Sequence, residues 1–302
     1  MRGMLGTMKR VVLIVNPFAS RVTDDAIAAV ERALMRSAYV RTVRTEGPRH
    51  AVELAREAND ADALIVFSGD GGFNEALNGV DQNDLPIGFV PGGGTSVLPR
   101  ALGLPRDPVA AAEQLADALE LERTRRISTG LVNGRRFAFG AGIGLDAEAV
   151  RRIDERGRGD DGERPGDLAF VAAFARIVLE RRGRLEPALE IDGYGRAAFL
   201  FVSNVNPYSF LKTLAIQVAP EALFEAGLDF LAPVSLTPRT LAPLLFALAR
   251  GRPARNALRG HDVDRIVVRC DRPLPLQADG EDLGDVMEAV FEAERGALTV
   301  LA

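Results

Sequence analysis

Residues 68–79 read SGDGGFNEALNG and residues 91–100 read PGGGTSVLPR, and each follows an apolar run, ALIVF or LPIGFV, with the length and composition of a buried strand. Few folds twice leave a core strand through backbone almost bare of side chains. Glycine admits positive φ and lets a bulky anion approach the N–H groups, and a helix opening at that point adds its partial positive charge. The pattern therefore reads as a phosphate cradle built of main chain. A tight strand-to-helix turn would use the same Gly69, Gly71 and Gly72, but a second cluster with Gly93 and Gly94 after the neighbouring strand favours a ligand. The first strand adds VNPFAS, in which Asn16 and Pro17 end the run at the same sheet edge.

Around these loops the first third alternates strand and helix patterns. RVVLIVN leads to a helix opened by Thr23 and Asp24, with Ile27, Val30, Leu34 and Met35 on one face. YVRTVRT, a helical HAVELAREA, ALIVFSG, a short helix from about Gly72, PIGFV and the helix PVAAAEQLADALELE follow. Strands separated by helices imply a parallel sheet covered on both faces, whose ligands collect beyond the carboxyl ends of the strands. After about Arg125 short runs with turn residues between them imply a largely antiparallel β domain. VNGRR and IDGYG carry hairpin-turn pairs, and two helices, DLAFVAAFARIVLERR opened by Asp167 and TLAPLLFALAR, are embedded. RRIDERGRGDDGERPG, charged and glycine-rich, reads as a mobile loop. The expected domains are 1–125 and 126–302.

Composition removes several classes. The 302 residues suffice for two domains, and a net charge of −5 argues against a nucleic-acid partner. The lone Cys270 makes no disulfide framework, and with only His50 and His261 an imidazole-rich zinc site or a Ser/His/Asp triad is hard to assemble. No apolar run approaches the ~20 residues of a membrane span or forms a signal-peptide core, so a cytoplasmic setting is expected. There is no P-loop, since neither Lys9 nor Lys212 lies near a glycine loop. GAGIG at 140–144 lacks the dinucleotide-binding spacing and falls in the β-rich half.

VNP, GDGGFNEALNG, PGGGTSVLPRALGLP, GAGIGLDAEAV and a late ADGE stand in the order and spacing of the bacterial diacylglycerol kinase-like lipid kinases, relatives of the sphingosine kinases, which the chain resembles along nearly its whole length. The Asn74–Glu75 pair directly after the Gly loop separates it from the NAD kinases, which share the G-D-G element with phosphofructokinases. The resemblance implies an α/β domain of the NAD kinase and phosphofructokinase type, a C-terminal β-sandwich with embedded helices, and ATP bound in the cleft between them. By position, Asn16, Thr45, Gly69, Asp70, Gly71, Gly72, Asn74, Glu75, Gly93, Gly94 and Thr95 match the nucleotide contacts. Asp279 and Glu281 match the acidic motif given the general-base role, and Asp70 matches an aspartate acting near phosphates and Mg2+, or as the base in the sphingosine kinases. Asp146 matches a position linked to the lipid head group. For each acid the bland alternative is a solvated or turn-forming carboxylate.

Three departures stand out. Members usually carry Thr where this chain has Gly72, and Asn-Asp where it reads SVLPR. Ala226 replaces the aspartate that helps hold a structural magnesium, leaving Glu225 or Asp229 as nearby substitutes. The implied activity is transfer of the ATP γ-phosphate to a lipid hydroxyl, that of diacylglycerol or a related lipid. The alternatives are a kinase of a soluble nucleotide or sugar and a non-catalytic lipid- or nucleotide-binding relative. The expected partner is lipid at the inner membrane face, with homodimerisation left open. LLFALARGRPARNALRG sets Leu244, Leu245, Phe246 and Leu248 beside Arg250, Arg252, Arg255 and Arg259, a combination suited to an anionic surface or to a core helix followed by a basic loop.

Overall fold

The structure is a computed structural model that describes residues 8–80, 85–155, 167–211 and 214–302. It divides into two compact units, Met1–Ile127 with Leu298–Ala302, and Ser128–Ala297. The grouping expected from sequence placed residues 298–302 with the β-rich half, whereas they fall in the first unit.

In the first unit β1 (Lys9–Val15), α1 (Asp24–Leu34), β2 (Ala38–Arg44), α2 (His50–Arg56), β3 (Ala63–Ser68), α3 (Asp70–Gly79), β4 (Ile87–Pro91), α4 (Val97–Ala101) and α5 (Pro108–Glu120) follow one another. The strands lie in the order β2-β1-β3-β4, all parallel. Every residue of β3 and Val11–Val15 of β1 are buried, as the continuous apolar runs of a sheet covered on both faces demand. Thr23 caps α1 by accepting the Ala26 N–H, and Asp107 caps α5 by accepting that of Ala110. α1 packs with α5, and α2 with α3. The strand order reverses between β1 and β3, the point at which open parallel sheets generally take ligands beyond the carboxyl ends of their strands.

The second unit comprises β5 (Thr124–Val132, beginning in the first unit), β6 (Arg135–Phe137), β7 (Gly140–Ile143), α6 (Leu145–Asp154), α7 (Asp167–Glu180), β8 (Leu189–Ile191), β9 (Gly195–Ala197), β10 (Leu200–Ser203), β11 (Ser209–Leu211), β12 (Leu214–Ile216), β13 (Leu228–Pro233), α8 (Pro238–Arg250), β14 (Ala257–Val263), β15 (Arg265–Ala278) and β16 (Glu281–Leu301). Its strands pair antiparallel along β14-β13-β10-β7-β15-β16. Alternation divides the core: Leu200 and Val202 of β10 join one apolar cluster with Phe230 and Phe291, while Phe201 joins the other with Leu145, Ile177 and Leu244 from the helices. Asn133 and Gly134, both at positive φ, make the two-residue hairpin between β5 and β6 that VNGRR predicts.

Local expectations are corrected at two places, and one element is added. Helix α3 begins at Asp70, two residues before Gly72. SVLPR, for which no element was expected, runs into the short helix α4, which starts after Ser96 in the left-handed region at φ 48°. A further helix, α6, is embedded in the β-rich half, and Arg151–Asp154, read as the start of a mobile loop, form its last turn on the buried Val150 and Ile153. The rest of that loop, 156–166, lies outside the described residues.

Candidate active site

Register brings the candidate loops to one edge. Val15 of β1 is level with Phe67 of β3, Phe67 with Val90 of β4, and Val15 with Arg44 of β2. Asn16, Thr45, Gly69 and Gly92 therefore all leave the sheet at its carboxyl end. Thr45 is buried and donates its amide to the Val15 carbonyl at 2.8 Å. Asn16 donates its amide to the Phe67 carbonyl at 3.0 Å, and its side-chain carbonyl accepts the Phe18 N–H at 3.0 Å.

The two glycine loops touch through their backbones. A Cβ on Gly93 would lie 2.9 Å from Gly69 Cα, and Gly92 donates its N–H to the Ser68 carbonyl at 2.7 Å. Gly71 and Gly94 differ, since a Cβ on either would meet nothing within 4 Å. Gly69 is the N-cap of α3 and offers no side-chain cap to its first amides. The result is a strand end and helix start whose N–H groups are approachable and whose dipole favours an anion.

Asp70 opens α3 half-buried, and its carboxylate accepts the Leu98 N–H of α4 at 3.4 Å, which ties the two glycine loops through one acid. Asn74 is buried in the same helix, and Asn78 donates to its backbone and side-chain carbonyls at 2.8 and 3.2 Å. Glu75 and Thr95 are half-buried. These residues all belong to the first unit.

ADGE is a hairpin turn of the second unit. Ala278 pairs with Glu281 across β15 and β16, and Asp279 (φ 48°) and Gly280 (φ 78°) take the positive φ of a two-residue turn, for which Asp-Gly is a favoured pair. The two acids of the motif have different surroundings. Asp279 is buried, and its carboxylate accepts the N–H groups of Ala138 (2.7 Å), Phe139 (3.0 Å) and Gly140 (3.1 Å). Glu281 is exposed and pairs with Arg135 at 2.5 Å.

Asp146 is neither solvated nor a turn acid. It is 2% exposed, and its Oδ2 accepts from the Tyr208 hydroxyl at 2.7 Å and from Gln277 Nε2 at 2.6 Å. Burial pushes its carboxyl up to about 6, against the two hydrogen bonds that favour the ionised form. The same burial, followed by the Asp146 charge, raises the Tyr208 phenol. Gln277 also accepts the Gly280 N–H at 2.9 Å and so links this cluster to the turn of Asp279 and Glu281. The glycines of GAGIG serve packing: a Cβ on Gly140 would lie 2.5 Å from the Tyr208 ring, and one on Gly142 2.6 Å from Asp146 Oδ2. Tyr208 and Gln277 carried no motif signal. The alternating glycines that make room for Tyr208 and Asp146 were the available clue.

The acid expected to hold a structural magnesium is otherwise engaged. Asp229 is buried, its two oxygens lie 2.9 and 3.1 Å from His261 Nδ1, and Oδ1 also accepts the Asp262 N–H at 3.0 Å. The Asp229 hydrogen bond, with the Asp229 charge, raises the His261 pKa and so favours the imidazolium form beside it. With Ala226 apolar, the donor set does not fit a magnesium ion, and among the described residues no three His, Cys, Asp or Glu side chains gather as one. Asp70 is different: a single half-buried carboxylate between the two glycine loops would suit an ion that takes most of its ligands from a bound phosphate and water.

Comparison with known proteins follows the same line. Residues 10–131 match the family model of the diacylglycerol kinase catalytic domain. A Streptococcus pneumoniae serotype 4 protein carrying a lipid-kinase name is 31% identical over 213 residues, 68% of this chain and 70% of that protein. The diacylglycerol kinase of Bacillus subtilis strain 168 is 28% identical over 293 residues, covering 91% and 90% of the two chains. A crystal structure of a diacylglycerol kinase from Bacillus anthracis str. Sterne superposes with TM-score 0.72 at 17% identity over 97% of this chain and 96% of that one. A second structure from that organism reaches 0.77 at 20% identity over 97% of both. At such identities the superpositions establish a shared fold. Taken with the sequence relatives, the carboxyl-edge glycine loops belong to a chain of the diacylglycerol kinase family, phosphotransferases with an alcohol group as acceptor.

Proposed function

We propose that the protein is an ATP- and magnesium-dependent lipid kinase that transfers the γ-phosphate to the hydroxyl of diacylglycerol or a related lipid. The observation that carries this reading is the pair of glycine loops in backbone contact at level strand ends, beside a helix start without a side-chain cap. Phosphoryl transfer needs alignment and charge neutralisation more than covalent help, so approachable amides and a few acids suffice without a lysine. In this reading the triphosphate accepts hydrogen bonds from the amides of Gly69–Gly72 and Gly93–Thr95, with Asn16, Thr45, Asn74 and Glu75 framing the nucleotide. A magnesium ion arriving with ATP would take Asp70 as its protein carboxylate and neutralise phosphate charge. As the acceptor oxygen bonds to the γ-phosphorus and the bond to the bridging oxygen of ADP breaks, the hydroxyl proton passes to a carboxylate. Glu281 is the candidate exposed to solvent, whereas the Asp279 carboxylate is held by three amides and fixes the turn.

The second unit is proposed to supply the lipid-binding surface, acting peripherally at the cytoplasmic membrane face. α8 supports this reading: it exposes Leu245 and Phe246, and Arg250 and Arg252 lie over the Phe246 ring at 5.4 and 6.0 Å. No helix among the described residues is long and apolar enough to cross a membrane.

Transfer of labelled γ-phosphate from ATP to diacylglycerol, extracted lipids, nucleosides and sugars tests the proposal. Labelled lipid is expected, with Asp70→Asn and Glu281→Gln each slower by on the order of 10²-fold or more. Label in soluble acceptors alone, or nucleotide binding without any transfer, would overturn it.

A further inference from the structure

Gly72 stands where the family resemblance leads one to expect a threonine, and the space a side chain would need there is taken. A Cβ on residue 72 would overlap the Ser68 hydroxyl, lie 2.9 Å from Ser68 Cβ and approach Asn16 Nδ2 to 3.6 Å. Ser68 is the last residue of β3, 1% exposed, and its hydroxyl accepts from Asn16 Nδ2 at 3.1 Å. The other end of the Asn16 amide accepts the Phe18 N–H. Asn16 is thus held at both ends, once from its own loop and once from the strand that carries the phosphate turn.

We propose that positions 68 and 72 share one side-chain volume, and that the Ser68 hydroxyl filling it is the positioning residue for Asn16 in nucleotide binding. The Ser68 hydroxyl enters that space from the strand side and Gly72 leaves it free. The proposal deepens the kinase reading, on which the role of Asn16 rests. Ser68 is too deeply buried to touch a nucleotide itself and acts through the orientation of Asn16. Filling both positions makes Ser68 rotate away and give up Asn16. Emptying both leaves a hole and an unheld amide.

The test is a double-mutant cycle of Ser68→Gly and Gly72→Thr, with Ser68→Ala beside it. Thermal midpoint and affinity for the β,γ-imido analogue of ATP with magnesium are both measured. Ser68→Ala is expected to lower its midpoint less than Gly72→Thr does and to bind the analogue about five- to ten-fold more weakly, the worth of one hydrogen bond. Gly72→Thr alone is expected to lower the midpoint and weaken binding. The exchanged pair is expected to regain midpoint over Gly72→Thr and affinity over Ser68→Gly. Wild-type affinity in Ser68→Ala, or simply additive losses in the pair, would overturn the proposal. A wild-type chain that binds no analogue overturns the kinase reading and the role of Asn16 with it, while the midpoints still decide whether the volume is shared.

Discussion

A methyl group on Gly93 would press on the Gly69 backbone, whereas one on Gly71 or Gly94 would enter open space. The two kinds of glycine therefore separate folding from binding. Gly93→Ala should lower both melting temperature and ATP affinity. Gly71→Ala and Gly94→Ala should melt as wild type yet bind nucleotide more weakly, which calorimetry and titration would resolve. Asp146 makes a pH prediction. Its carboxyl is raised from 3.8 to about 6 on folding, so the folded state holds the proton more tightly. The stability this contributes is full below pH 4 and is lost as pH rises through about 6, a change of up to about 3 kcal/mol. In paired melts from pH 4 to 7, wild type should lose ground to Asp146→Asn, whose amide carbonyl can still accept from Tyr208 and Gln277. His261 makes another. Its pKa is raised by Asp229, so its contribution is present below pH 6.5 and lost as pH rises through the elevated value. The melting gap between wild type and His261→Gln should narrow with alkalinity, and a chelator should leave the wild-type midpoint unchanged. Glycines and acids at residue scale were legible because Gly69, Asp70 and Gly93 stand in motifs. Ser68 and Tyr208 were not, because their significance lies in contacts across 52 and 62 positions of chain.

At the scale of elements, α8 is the piece whose surface was hardest to read. Its sequence offers five large apolar residues, but Leu244 and Leu248 are buried in the helix-side core of the second unit with Leu241 packed against it, while Leu245 and Phe246 face outward. A 3.6-residue period places neighbours such as 244 and 245 on different sides, so composition alone overcounts the exposed face. Thr237 and Thr240 form its capping box and Gly251 closes it at positive φ, which lets the exposed pair change without unwinding the helix. Leu245→Ser with Phe246→Ser should keep the melting temperature and reduce co-sedimentation with anionic vesicles. Unchanged sedimentation after that change, or after charge reversal at Arg250 and Arg252, would sink the docking role. The parallel strands and the capped helices α1 and α5 were legible because apolar runs and caps are local signals. α4 and α6 escaped notice because they start on Ser96 and Gly144, which provide no side-chain cap hydrogen bond and sit at positive φ.

For the molecule as a whole, strand β16 has a divided loyalty. Most of it pairs with β15 in the second unit, but Val300 pairs with Ile87 of β4 and Leu298–Ala302 belong to the first unit. Local pattern reading cannot find this, since the final residues continue an ordinary alternating strand and their partner lies more than two hundred positions upstream. Removing residues 298–302 should lower the melting temperature and weaken binding of the ATP analogue, because β4 would be left with an open edge beside the glycine loop that follows it. Time enters here as well as space. On the ribosome the first unit waits for residues 298–302 while residues 128–297 are made, a delay of roughly 10–30 s at typical elongation rates. A nascent chain stalled anywhere in that interval carries β1–β4 with the outer edge of β4 still waiting for its partner, which makes synthesis through residue 302 the checkpoint for a finished first unit.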